Sequence, residues 1–133
     1  MPKVKVHLVD KKERYKIIGE LFEIICNLRT KQEVIDFLVG LLTSSEALMI
    51  ARRLQIAKML IDESSYDYIR KKLKVSHQTI AAVEKWLEWD DEKKRIIIRK
   101  IREIGKSAKK GIIHSGNLLD KYPQHRFLKD IFE

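Results

Sequence analysis

The chain carries one cysteine, Cys26, in 133 residues. No intramolecular disulfide can form, which suits a reducing cytoplasm. Cys26 lies beside Ile24, Ile25 and Leu28, so a buried apolar role is expected rather than a reactive thiol. Proline is nearly absent, with two residues, and glycine contributes five. So few breakers favour helices over loops. Acidic residues are in short supply: 19 Asp and Glu face 28 Lys and Arg, a formal net charge of +9. That imbalance suits nucleic acid or an anionic surface. It also suits a solvated, self-repelling surface, and charge alone does not choose. No apolar run approaches the roughly 18 residues that span a bilayer, so no membrane role is expected. The start, MPKVKVHLVDKKERYK, lacks the apolar stretch and cleavage site of a signal peptide. Repeats and low-complexity segments are lacking too.

Catalytic patterns are equally scarce. His7, His77, His114 and His125 show no paired ligand spacing and Cys26 stands alone, which argues against a metal site. No nucleophile and base are legible together. Gly105-Lys106-Ser107 lacks both the glycine a phosphate loop needs at the position of Lys100 and the preceding strand. The expectation is a protein that is not an enzyme and needs no cofactor.

What is present is helical periodicity. Tyr15, Ile18, Phe22 and Ile25 recur at helical spacing from about Lys11 to Leu28, widened by Leu21 and Ile24. Thr30 with Glu33 three residues on signals the capped start of a second helix, to about Leu41. Thr43 with Glu46 repeats the signal for a third, ending near Asp62. Val4 to Val9 alternate weakly and read as extended. In the third helix, Leu48, Met49, Ile50, Ala51, Leu54, Ile56, Ala57, Met59, Leu60 and Ile61 cover most of the circumference. A helix apolar nearly all round must be buried nearly all round. Short helices of one small chain cannot easily enclose it. An intertwined homodimer supplies the cover; the alternative is a compact monomer with this helix at its centre.

Ser65 to Leu73 reads as a short helix and Ser76 to about Glu88 as another, with Lys74 and Val75 between them. Ile69, Leu73, Val75, Ile80 and Val83 then form one inward cluster, and Ser76 is a natural N-cap. This is helix-turn-helix spacing. Ser76, His77, Gln78, Ala81, Ala82 and Lys85 face outward. Two adjacent alanines let a helix backbone approach a groove closely. Gln78 suits a bidentate contact to adenine, and His77 a base edge or a phosphate. Arg70, Lys71, Lys72 and Lys74, with Thr79 and Lys85, lie where phosphates flank an inserted helix. The helix dipole at Ser76 also favours an anion.

The stretch LLTSSEALMIARRLQIAKMLIDESSYDYIRKKLKVSHQTIAAVEKWL resembles the Trp repressor superfamily, and more closely its YerC/YecD branch. LFEIICNLRTKQEVIDFL resembles that branch's N-terminal helices, so the likeness runs from about Lys11 to Leu87. Its most specific parts are Leu41-Leu42-Thr43 with Glu46, the run Arg53 to Leu60, Ser65-Tyr66 with Ile69, and Val75-Ser76 with Thr79-Ile80. The resemblance implies an all-α, interlocked dimer with two projecting helix-turn-helix units, binding double-stranded DNA as a transcriptional regulator. In the tryptophan-binding repressor, a threonine and an arginine at the positions of Thr43 and Arg53 contribute to the ligand site. Thr43 and Arg53 are therefore candidate ligand or anion residues, although a surface or inter-subunit salt bridge suits Arg53 better. A second arginine and a serine of that site correspond to Ala82 and Trp86. Losing a cation and gaining an indole argues against tryptophan dependence.

Two further departures concern the turn. Lys74 stands where such turns usually carry glycine and often need positive φ, at a cost of ~1 kcal/mol. Arg70 stands where alanine is usual, so its long side chain is expected to snorkel past the partner helix. The expected organisation is an N-terminal arm (1–10), a helical DNA-binding domain (11–89, with its helix-turn-helix at 65–88), and a basic C-terminal helix with a docked tail (90–133). The expected function is a sequence-specific transcriptional regulator, with repression as its mode, in the cytoplasm at the nucleoid. The rival is a helical protein- or RNA-interaction module that keeps the fold without specific DNA readout.

Overall fold

A computed structural model describes residues 2–109. Six α-helices follow one short 3-10 turn, with no strand among the described residues. The chain divides into two compact units, Met1–Leu41 and Leu42–Glu133. The expected docking of the tail, Leu118 to Glu133, lies outside the described residues.

In the first unit, Val6–Leu8 form the 3-10 turn, where alternation suggested an extended segment. The turn closes locally: the Leu8 N–H donates to the Lys5 carbonyl at 3.0 Å and the Val9 N–H to the Val6 carbonyl at 3.2 Å. Val6 and Leu8 are both exposed, so no packed face holds an alternating strand there. Helix α1 (Lys11–Asn27) buries no residue. Tyr15, Ile18 and Phe22 stay exposed along it, as does Cys26, which was expected to be buried. Helix α2 (Lys31–Leu41) starts with the expected box. The Glu33 N–H donates to Thr30 Oγ1 at 3.1 Å, and the Glu33 carboxylate accepts the Thr30 N–H at 3.4 Å and the Arg29 N–H at 2.7 Å.

The second unit opens with α3 (Ser44–Ile61) and a complete capping box. Thr43 Oγ1 accepts the Glu46 N–H at 3.1 Å, and Glu46 Oε1 accepts the Thr43 N–H at 2.9 Å. The Thr43 backbone N–H, and after it the Thr43 hydroxyl, hold the Glu46 carboxyl below the ordinary glutamate range. At its other end α3 closes in a Schellman motif: the Glu63 N–H donates to the Leu60 carbonyl at 3.0 Å and the Ser64 N–H to the Met59 carbonyl at 2.9 Å. The left-handed residue of that motif is Glu63, at φ 61°.

Helices α4 (Tyr66–Leu73), α5 (His77–Leu87) and α6 (Asp91–Lys109) complete the unit. Ser65 caps α4 by accepting the Tyr68 N–H at 3.2 Å. Asp90 Oδ1 accepts the Glu92 and Lys93 N–H groups at 2.9 and 3.3 Å, starting α6. One core joins Ile56 and Ala57 of α3, Ile69 and Leu73 of α4, and Ile80, Val83 and Leu87 of α5. Val75 of the turn and Ile97 and Ile101 of α6 pack against it. Ile56, Ile69 and Ile80 are fully buried. Of α3, the second unit fully buries only Ile56 and Ala57, in its later part. Leu48, Met49, Ile50 and Leu54 keep 52%, 58%, 48% and 44% of their surface exposed.

Candidate nucleic-acid interface

Three residues, Lys74, Val75 and Ser76, separate α4 from α5. Lys74 adopts φ 55° and ψ 46°, the left-handed conformation expected of that position. A lysine there carries a Cβ clash that glycine avoids. Val75 drops into the core, and Ser76 turns the chain into α5. Its Oγ accepts the Thr79 N–H at 3.2 Å and lies 2.9 Å from Thr79 Oγ1. The Ser76 hydroxyl is thus committed to the helix start. Thr79, its partner, is half-buried.

Core spacing fixes the rotation of α5. With Ile80, Val83 and Leu87 buried, Ser76, His77, Gln78, Ala82 and Lys85 are exposed, and Ala81 is half-buried. At helical spacing His77, Ala81, Lys85, Gln78 and Ala82 lie together on one side, with Ala81 half-buried among them and Ser76 at the N-cap. His77 is only partly available, since its ring packs against Tyr66 with centroids 4.8 Å apart. Arg70, Lys71, Lys72 and Lys74 are all exposed on the end of α4 and the turn. Arg70 is exposed next to the fully buried Ile69, which carries the packing of this turn of α4. Lys72 Nζ donates to Tyr68 Oη at 3.3 Å and sits 5.5 Å from the centre of the Tyr68 ring.

A contact that sequence reading missed ties the two helices across this surface. Tyr66 Oη donates to the Glu84 carboxylate. That bond, then desolvation, raises the Tyr66 pKa above the ordinary tyrosine value. The partners are 18 residues apart, and nothing local in the sequence marks them.

Two open grooves flank α5. One, of about 700 Å³, lies between α3 and α5 and is walled by Ile50, Arg53, Leu54, Gln78, Ala82 and Trp86 among others. The other, of about 730 Å³, runs along Tyr66, Ala81, Glu84, Lys85, Trp86 and Trp89. Arg53 is exposed and is the one cation on the first groove's wall. Thr43 lies ten residues earlier on the same helix, about 15 Å away at 1.5 Å per residue, and caps α3. One chain does not bring Thr43 and Arg53 into a common site. Ala82 offers this groove no donor, and Trp86 fills part of its wall. Among the described residues, no group of three or more His, Cys, Asp or Glu is placed to hold a metal. None of the described helices is long and apolar enough to cross a membrane.

Comparison with known proteins agrees with this architecture. The chain is 28% identical over 92 residues to the uncharacterized protein YerC of Bacillus subtilis (strain 168), covering 69% of this chain and 88% of that protein. No solved structure matches. The family model described as Trp repressor protein matches residues 16–102, which take in α2 to α5 whole and most of α1 and α6. With six helices in this order and a capped, core-seated α5, the chain belongs to the Trp repressor family and has its all-α fold.

Proposed function

We propose that the protein is a homodimeric, sequence-specific regulator that binds double-stranded DNA through α5 and represses transcription at the nucleoid in the cytoplasm. The observation that carries this reading is the seating of α5. Ile80, Val83 and Leu87 lock it to the core, which leaves Gln78, Ala82 and Lys85 exposed beside Arg70, Lys71, Lys72 and Lys74. A rigid helix with a small-residue face and a basic flank fits a major groove. Gln78 and His77, with Ser76, Ala81 and Ala82 at the contact surface, read bases. Arg70, Lys71, Lys72, Lys74, Thr79 and Lys85 hold the backbone. Membership of the Trp repressor family supports the same reading.

The dimer follows from uncovered apolar surface. Tyr15, Ile18 and Phe22 of α1 and Leu48, Met49, Ile50 and Leu54 of α3 are exposed in one chain. A second copy is the cover that an interlocked fold provides. Tryptophan is not the effector, because Ala82 and Trp86 replace the cation and the hydroxyl its site needs. Adding tryptophan should change DNA affinity less than about ten-fold, or 1.4 kcal/mol.

Selection of random duplexes on the purified protein tests the reading. Enrichment of a palindrome with half-sites about one helical turn apart, roughly 34–36 Å, is expected. Flat enrichment would sink it and favour the rival interaction module.

A further inference from the structure

We propose that α6 carries a second polyanion-binding surface, a basic stripe that tracks the phosphate backbone of duplex DNA outside the region read by α5. It rests on the reading of the chain as a duplex binder and extends its footprint.

Arg95, Arg99, Arg102 and Lys106 recur at i, i+4, i+7 and i+11 along α6. At 3.6 residues per turn this spacing aligns four cations along one edge of the helix. All four are exposed. They line an open groove of about 470 Å³ with Ile98 and Glu103. The stripe runs about 16 Å at 1.5 Å per residue. Each DNA strand presents one phosphate per about 3.4 Å of axis, so the stripe faces about five of them.

Three like-charged neighbours at i,i+3 or i,i+4 each weaken an isolated helix by about 0.2–0.5 kcal/mol. Among the described residues Glu103 makes the close ion pairs on this helix, 4.0 Å from Arg99 and 3.7 Å from the neighbouring Lys100, and Asp91 and Glu92 precede Arg95 by four and three residues. Both pairs are solvent-exposed, so the carboxylate releases its cations at little cost. Elsewhere on α6 the acids are confined to the first turn, at Asp91 and Glu92. A solvated helix face usually mixes signs evenly; on this edge four cations outnumber Asp91 and Glu103. Three of the four cations are arginines, whose planar forks match phosphate oxygens in pairs.

The stripe is also held in place. Ile97 and Ile101 pack against the same core that seats α5. These contacts put the stripe on the same unit as α5. Ile97, Ile98 and Ile101 are half-buried, which leaves only Ile96 and Ile104 of the helix's isoleucines exposed, a small apolar face for insertion into a lipid surface.

The test compares three full-length proteins on a random-sequence duplex across a salt series: wild type, R95Q/R99Q/R102Q/K106Q, and K11Q/K12Q/K16Q/K31Q. The last removes as much charge from the N-terminal helices. The α6 variant should lose at least about ten-fold in affinity near 0.1 M salt. The log–log salt slope should fall by about 2 or more, at roughly 0.9 per phosphate contact, against less than about 1 for the matched control. Helical circular dichroism and the melting temperature establish that the variants fold. If the quadruple variant does not, R95Q/R99Q decides, with about half the loss in slope expected. Equal losses in the α6 variant and the matched control would overturn the proposal, as would lost binding to anionic vesicles with duplex binding intact. Unchanged slope in the α6 variant, with a palindrome still selected by the wild type, sinks the stripe and spares the regulator. A lower slope with flat selection does the reverse. No duplex binding by the wild type sinks both.

Discussion

The two units of this chain use apolar residues in opposite ways. From Leu42 on, Ile56, Ile69 and Ile80 disappear completely into a core that one chain builds for itself. Up to Leu41, α1 buries nothing, and Phe22 keeps 59% of its surface exposed. Hydrophobic spacing is regular in both. The difference is partnership: α5 finds α3 and α4 within the same chain, whereas α1 presents a stripe with no cover in its own unit. Periodicity tells which face must be covered, not by whom. The core that seats the candidate DNA-reading helix closes within one chain, whereas α1 and the early part of α3 leave apolar surface that suits an interface between copies.

The comparison breaks first at its core. Ile80→Ala should cost about 2–5 kcal/mol in urea-induced unfolding, because the side chain is fully buried and its neighbours cannot collapse onto the gap. Phe22→Ala should cost little to a monomer but weaken the dimer. Its effect should appear as a shift in the concentration dependence of sedimentation, and an unchanged dissociation constant would separate α1 from the interface.

Caps give intermediate effects. Thr43→Ala should destabilise the protein by about 0.5–2 kcal/mol, since it removes the acceptor for the Glu46 N–H. The pH dependence has a definite sign. The Glu46 pKa is lowered in the folded chain, so its contribution is present above the unfolded value and is lost as pH falls through the lowered one. Acid unfolding of Glu46→Gln should therefore lack part of the wild-type decline. Smaller again, Lys74→Gly should raise stability by about 1 kcal/mol, relieving the left-handed strain at φ 55°. The same substitution should weaken DNA binding by removing a phosphate contact, so stability and affinity should move in opposite directions. Glu103→Gln should change stability by less than about 1 kcal/mol, because its ion pairs are exposed.

Local chemistry was the legible part of this fold. Thr30 with Glu33, Thr43 with Glu46, and Ser76 announce their helices because each cap is satisfied within a few residues. The inward set Ile69, Leu73, Val75, Ile80 and Val83 was legible for the same reason, as helical spacing fixes a face. Ile56, Ala57 and Leu87 join that core from outside the helix pair's early turns. Long-range pairings were not legible. Tyr66 with Glu84 depends on how α4 crosses α5, and the tilted contact of His77 with Tyr66 depends on it too. That contact places the Tyr66 ring beside the residue assigned to base contact. Glu63 in the left-handed region was missed because glycine usually marks that position, and glutamate gives no such cue.

The central claim is that the outward face of α5 reads bases. Random-duplex selection repeated with Gln78→Ala tests it most directly. The account predicts that the palindrome loses its preference at one position in each half-site, while the flanking preferences and most of the salt dependence persist. Recovery of the identical palindrome with undiminished preference at every position would contradict it.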